Sequence, residues 1–300
     1  MNPHTIEGMK QAKKNGNEVA LYTNGRLLNK KHIDDLINID PLFIRISIYG
    51  GDEQAHANYT QNKHDRNSFK KVLENVSNLL IEKEQKKSNI NIGLSYLLHP
   101  LTITTLEDFA QEIINMKGAE QINYVRFTPA VDYFTGQQHS KQLMNAAYSL
   151  IDEKITPLLE EKGVKSRPYY HRLNDLHAKK DYTNCRASGW FGEIGPGGDV
   201  YLCCEKLFIP EYKIGNLKEQ TLDEIWTSEL RQEIITNINQ NDCKECPTLC
   251  KPHELNKIFS KIEYKRKNGK IDEVKKWAND FSAMAKDTKY CPSRLEDFQS

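Results

Sequence analysis

Apolar positions along the first half of the chain switch repeatedly between two periods. Ile6, Met9 and Ala12 share one helical face, with Asn2-Pro3 ahead as a start signal and Gly16 behind as a stop. Val19 to Tyr22 is a short apolar run ended by Thr23-Asn24-Gly25. Ile33, Leu36 and Ile37 mark a second amphipathic helix, and Phe43 to Ile48 reads as a strand ended by Gly50-Gly51. The alternation continues with a helix through Phe69, Val72, Leu73, Val76, Leu79 and Leu80 and a strand from Ile90 to Leu98. A helix through Leu106, Phe109, Ala110, Ile113 and Ile114 follows, with Thr105 expected as its cap, and then a strand from Ile122 to Phe127. A long helix carries Leu143, Ala146, Ala147, Leu150, Leu158 and Leu159 on one stripe.

Residues 2–162 therefore predict five helices alternating with four strands. Strict alternation implies parallel strands joined by crossover helices, in an α/β layer or barrel. Such units normally begin with a strand, and this one begins with a helix. Its first strand is apolar and needs a partner, because natural sheets avoid exposed apolar edges. The expectation is that earlier strands are missing from the chain or are supplied by a partner.

The texture changes near residue 165. Segments shorten, and Gly and Cys appear. Pro196-Gly-Gly-Asp199 signals a tight turn between two short strands. Thr221-Leu-Asp-Glu224 is a capping box for a helix through Ile225, Trp226, Leu230 and Ile234. The final 45 residues look helical and charged.

Charge narrows the function classes. Forty-two basic and 41 acidic residues nearly cancel. With no broad basic field, nucleic acid is not an expected partner. No apolar run reaches a membrane-spanning length, and Met-Asn-Pro-His-Thr has no signal-peptide core, so a cytoplasmic protein without a membrane partner is expected.

Candidate chemistry lies in the cysteines. The chain has seven, at 185, 203, 204, 243, 246, 250 and 291, and the first 184 residues have none. In a reducing compartment such clustering points to metal ligands rather than disulfides. Cys185 and Cys203 bracket a Gly-rich hairpin in the form C-x12-G-x4-C, and Cys243-x2-Cys246-x3-Cys250 follows forty residues later. Two such groups supply four soft thiolates, which suit zinc or an iron–sulfur cluster. Cys204 and Cys291 are expected to be buried or spare thiols. His99, at a strand end, reads as a polar loop residue more readily than as a catalyst, and His253 as at most a reserve ligand. No nucleotide-binding or hydrolase motif occurs.

Several segments together resemble a known family. They are strand-Thr23-Asn24-Gly25, Ile46-Ser47-Ile48-Tyr49-Gly50, Arg126-Phe-Thr-Pro129, Gly195-Pro-Gly-Gly-Asp-Val-Tyr-Leu-Cys203-Cys204, Ile214-Gly-Asn-Leu217, Leu222-Asp-Glu-Ile-Trp226 and Cys243-x2-Cys246. Their order from Met1 to about His253 is similar to that of radical S-adenosylmethionine enzymes with a C-terminal SPASM/twitch domain. The resemblance implies a partial (β/α)6 barrel over residues 1–165, with strands three to six present and the first two missing. It also implies an auxiliary 4Fe–4S domain over residues 181–255 and a helical tail over 256–300. In such enzymes a CxxxCxxC loop holds the 4Fe–4S cluster that cleaves S-adenosylmethionine to a radical. This sequence has no such loop, so a missing segment on the order of 50 to 90 residues is expected.

Carried over residue by residue, the resemblance places Ser47 near the cofactor ribose and Thr23 and Asn24 on the same barrel mouth. It places Arg126 within reach of the cofactor carboxylate or a substrate anion. It makes Cys185, Cys203, Cys243 and Cys246 the auxiliary-cluster ligands, with Cys250 able to replace Cys246. No catalytic residue is assigned. The expected protein is a truncated oxidoreductase-like relative whose parent reaction modifies a peptide or a sugar-like small molecule, with an electron-donor protein as partner. By itself it is expected not to cleave S-adenosylmethionine. The alternative is a non-catalytic binding module with a structural iron–sulfur or zinc site.

Overall fold

In the computed structural model the chain divides into two compact units, Met1–Asn174 and Asp175–Ser300. The structure describes residues 4–61, 67–130, 140–170, 180, 182–238, 243, 246, 250 and 252–287, the last seven as backbone only. The expected helix start at Asn2-Pro3 and the thiol of Cys291 lie outside the described residues.

The first unit runs α1 (Thr5–Lys14), β1 (Leu21–Thr23), α2 (Lys30–Ile39), β2 (Phe43–Ile48), α3 (Glu53–Thr60), α4 (Ser68–Gln85) and β3 (Asn91–Leu98). It continues with α5 (Leu106–Asn115), β4 (Tyr124–Pro129), α6 (Lys141–Leu150), α7 (Thr156–Glu161) and β5 (Lys165–Pro168). The five strands form one parallel sheet in sequence order, β1-β2-β3-β4-β5. This is the α/β architecture that the alternating periods predict, with one more strand than the four expected.

Register sorts the side chains by face, since alternate residues of a strand point to opposite sides. Ile44, Ile92 and the rows Ile46–Leu94–Val125 and Ile48–Tyr96–Phe127 share one face. All of these are buried, and each such side chain contributes about 1.5–3 kcal/mol by leaving water. Phe109 of α5 closes this face, its ring 4.6 Å from that of Tyr96. The opposite face carries Arg45, Ser47, Gly93, Ser95, Tyr124, Arg126 and Arg167.

Four local expectations change. α3 was not predicted, because it buries only Ala55 and His56; Asp52 starts it, its Oδ1 accepting from the Ala55 N–H at 2.7 Å. β5 follows the stretch where the pattern lapses, and its Lys-Ser-Arg-Pro sequence carries no large apolar residue. Thr105 stands at the start of α5 but makes no cap bond. Its hydroxyl donates to the Thr102 carbonyl and accepts the Gly51 N–H instead. The long helix is interrupted by a π-helical turn at Ile151–Ile155; of the expected stripe Ala147 and Leu159 are buried, and Met144, Tyr148, Ile151 and Ile155 take the place of Leu143, Ala146, Leu150 and Leu158.

The second unit has a three-stranded antiparallel sheet of β6 (Glu193–Ile194), β7 (Asp199–Tyr201) and β8 (Lys213–Asn216). The expected tight turn joins β6 to β7, with Gly198 at φ 90° donating to the Gly195 carbonyl. The Thr221 capping box is complete, with Thr221 Oγ1 accepting from the Glu224 N–H and Glu224 returning to the Thr221 N–H. It opens α8 (Leu222–Thr227). The expected single helix then breaks at Ser228, which is extended and caps α9 (Glu229–Asn237) through the Arg231 N–H. Helices α10 (His253–Lys267) and α11 (Ile271–Asp287) follow. Tyr182, Val200, Leu202, Ile214, Ile225 and Ile234 pack around Cys185 and Cys243 in the small core of this unit.

Candidate functional site

Two places carry chemistry, one in each unit. The first is the unconventional face of the parallel sheet. Parallel sheets are normally apolar on both faces, because helices cover both. Here one face carries a row Ser47–Ser95–Arg126–Arg167 across four strands. One pair below it, Arg45 is 5% exposed and donates from Nε to the Tyr124 hydroxyl at 2.9 Å. The Tyr124 ring lies over Gly93, where a Cβ would fall 2.2 Å from Tyr124 Cζ. The guanidinium of Arg167 sits 4.8 Å from the centre of the same ring, and that of Arg126 3.4 Å from the centre of the Tyr169 ring. Burial raises the Tyr169 pKa, while Arg126, Arg45 and Arg167 each draw it back down. Three guanidinium groups thus share one neighbourhood, held by tyrosine faces.

The residues expected to meet a cofactor lie on or beside this face. Ser47 and Arg126 are both in the row, two strands apart. Thr23 pairs with Ile46, so Asn24 lies one step further along the sheet, level with Ser47. Thr23 Oγ1 accepts from the Gly25 N–H at 3.1 Å and Asn24 Oδ1 from the Arg26 N–H at 3.2 Å, which fixes the turn. His99 accepts from the Leu101 N–H at Nδ1 and sets its ring edge-on to Tyr59. Arg45, Ser95 and Arg167 were not singled out from sequence. The signal was present in β2, where Arg45 and Ser47 alternate with Ile44, Ile46 and Ile48.

The second place is the cysteine cluster. Cys185, Cys203, Cys243 and Cys250 are buried and Cys246 is half-buried. Cys243 is hydrogen-bonded to Cys185, which lowers the pKa of Cys185 and raises that of Cys243. Burial pushes the Cys203 thiol up to about 12, and Cys185 and Cys246 are close enough to add to the shift. Burial also raises Cys246 and Cys250. Lys180 draws both of these down, and its ammonium donates to the Cys243 carbonyl at 3.1 Å and the Cys246 carbonyl at 2.7 Å.

The structure therefore gathers five of the six described cysteines. The Cys204 thiol lies 3.8 Å from Glu205 Oε1. His253 Nδ1 is taken by the Tyr182 hydroxyl at 2.9 Å. Among the described residues no three Cys, His, Asp or Glu side chains already stand as a closed metal cage. Yet the donor set suits a thiophilic centre: several thiols buried together, with a cation near them, gain most by giving up protons to soft metal ions. Sequence reasoning missed Lys180, because no spacing marks a lysine that reaches carbonyls 63 and 66 residues away.

The SPASM family, described as an iron–sulfur cluster-binding domain, matches residues 185–247. A serine-type anaerobic sulfatase-maturating enzyme of Bacteroides thetaiotaomicron is 26% identical, over 77% of this chain and 58% of its own. A cysteine-type anaerobic sulfatase-maturating enzyme of Clostridium novyi is 21% identical, over 76% of this chain and 60% of its own. The chain thus spans less than two thirds of these curated relatives. Streptococcus suis SuiB bound to S-adenosylmethionine superimposes with a TM-score of 0.54 at 11% identity, covering 81% of this chain and 56% of SuiB. SuiB bound to its precursor peptide SuiA gives 0.52 at 13%. Among the described residues no helix is long and apolar enough to cross a membrane. Residues 185–247 thus match the SPASM iron–sulfur cluster-binding family, and the chain, with a parallel α/β unit before that domain, is similar to radical S-adenosylmethionine/SPASM enzymes.

Proposed function

We propose that this chain takes part in radical-based modification of a peptide or protein side chain. In this reading Cys185, Cys203, Cys243 and either Cys246 or Cys250 hold an auxiliary 4Fe–4S cluster. The observation that carries it is the convergence of five largely buried cysteines from separate segments, Cys185, Cys203, Cys243 and Cys246 inside the domain matched as cluster-binding and Cys250 three residues beyond it. When bound, the cluster supplies a one-electron acceptor for oxidation of the substrate. The chain's own part is to bury the thiols, to clamp the Cys243–Cys246 segment through Lys180, and to keep the centre dry. An electron-donor protein is the expected redox partner.

The polar sheet face is the proposed binding surface for S-adenosylmethionine and substrate. Arg126 is a planar donor suited to a carboxylate, and Ser47 and Asn24 are suited to ribose hydroxyls. A peptide substrate is favoured over a small sugar-like one. Both curated relatives are named for maturing sulfatases, and one structural neighbour is described with a precursor peptide. No cysteine precedes Cys185, so these 300 residues lack a three-cysteine site in the sheet unit. These residues alone are therefore expected not to cleave S-adenosylmethionine.

Two measurements test the proposal. After anaerobic reconstitution the chain should hold about four iron and four sulfide, with an absorption band near about 400 nm. Zinc without that band would overturn the cluster assignment. Incubation with S-adenosylmethionine and dithionite should yield no 5′-deoxyadenosine above the protein-free control. Appreciable cleavage would show that the radical-generating step is encoded within these residues.

A further inference from the structure

Asn256 belongs to α10, nine residues beyond the segment matched as the SPASM domain, yet it is 1% exposed. Its side chain reaches back 71 residues, with Nδ2 3.3 Å from the Cys185 sulfur. Its Oδ1 accepts the backbone N–H of Ala187 at 2.9 Å. This second bond settles which way the amide faces. A backbone N–H can only donate, so the oxygen must point at Ala187 and the NH2 group at the sulfur. One turn earlier, at i−3, His253 is 7% exposed and its Nδ1 meets the Tyr182 hydroxyl at 2.9 Å. Residues three apart share a helix face. The same face of α10 thus inserts two polar groups beside the thiols. From the other side, Ser188 Oγ donates to the Cys185 carbonyl at 2.7 Å, so Cys185 is held at both its backbone and its sulfur.

We propose that Asn256 is a positioning residue for the auxiliary cluster: its N–H···S bond orients Cys185 and raises the reduction potential of the centre that this cysteine holds. The inference rests on the reading of Cys185 as a cluster ligand given above. An N–H donor on a ligating sulfur stabilises negative charge, and the reduced state of the centre is the more negative one. The donor therefore favours the state that has accepted an electron from substrate. Helix α10 becomes part of the cluster's housing rather than a tail beside it. Removing the donor should disfavour the reduced state.

The test compares the full chain with Asn256→Asp, Asn256→Ala and Glu254→Gln after anaerobic reconstitution. Iron content, circular dichroism and the midpoint potential from an EPR-monitored titration are read for each. Asn256→Asp keeps the shape and the bond to Ala187 but sets a carboxylate against the sulfur. We expect about a tenfold weaker preference for the reduced state in Asn256→Ala, which for a one-electron couple is a fall of about 59 mV. Asn256→Asp should fall further, or lose iron while keeping its helical signal. Glu254, on the same helix and 63% exposed, should change nothing when replaced by glutamine. Should either Asn256 variant prove unfolded, chelator competition on the other decides, with about 10–100-fold weaker iron retention expected. An unchanged potential and iron retention in the folded Asn256 variants, or an equal shift in Glu254→Gln, would overturn the inference while leaving the ligand assignment in place. Wild-type chain that takes up no iron would overturn the ligand assignment itself, and this inference with it.

Discussion

Replacing Gly51 by alanine is expected to destabilise the first unit by about 3–5 kcal/mol, among the largest effects of any single methyl group in the chain. Gly51 is buried where the loop after β2 crosses the start of α5. A Cβ there would stand 1.8 Å from the Thr105 carbonyl oxygen and 2.6 Å from the Phe109 nitrogen. Both obstacles are backbone, so no side chain can swing away. Relief requires the loop to lift, which also breaks the Gly51 N–H bond to Thr105 Oγ1 at 2.9 Å. The freed hydroxyl belongs to a buried group that includes the Tyr96 hydroxyl, 3.2 Å away, so the loss spreads to the central strand. Urea denaturation followed by far-UV circular dichroism measures the change, and a loss under about 1 kcal/mol would contradict the geometry. Gly8 is the matched control. It lies inside α1 with nothing within 4 Å of a Cβ, so Gly8→Ala should stabilise by about 0.5–1 kcal/mol.

The second large effect concerns the cysteines taken one at a time. Cys185→Ala, Cys203→Ala and Cys243→Ala should each cost far more iron affinity than the roughly 10–100-fold that loss of a supporting hydrogen bond costs. Each removes a ligand and leaves the remaining thiols buried around a gap. Of Cys246→Ala and Cys250→Ala, one should empty the site and the other leave it largely filled, and iron analysis names the fourth ligand. Cys204→Ala should retain full iron. Its thiol lies beside Glu205, while its neighbour Cys203 faces the other sulfurs. Full iron retention in Cys185→Ala or Cys243→Ala would remove the basis for the proposed centre.

The sequence was most readable where one physical demand set both residue type and spacing. β2 was located to the residue because six consecutive positions needed extended backbone and three of them faced a packed core. The cysteines were readable because soft metals admit few donor types. β5 was not, because an edge strand of Lys-Ser-Arg-Pro is made a strand by pairing with β4, not by its own preference. α3 escaped because the cap at Asp52 has no apolar stripe behind it. The stripe of α6 differs in part from the apolar pattern because Met144 and Tyr148 turn inward, and because the π turn shifts the face that follows. At the site, Lys180 and Asn256 act through contacts 63 to 71 residues distant in sequence. Such contacts leave no local period, so only the folded chain reveals them.

The bare patch of backbone at Gly93 has a consequence for how this chain can change over time. Tyr124 can lie flat only because position 93 has no side chain, and while lying flat it receives Arg45 and shelters beneath Arg167. Any residue other than glycine at 93 evicts the ring and takes one contact from both Arg45 and Arg167. A smaller residue at 124 leaves the glycine as an unfilled notch. A change at either position thus disfavours the other residue, so the two are expected to vary as a couple.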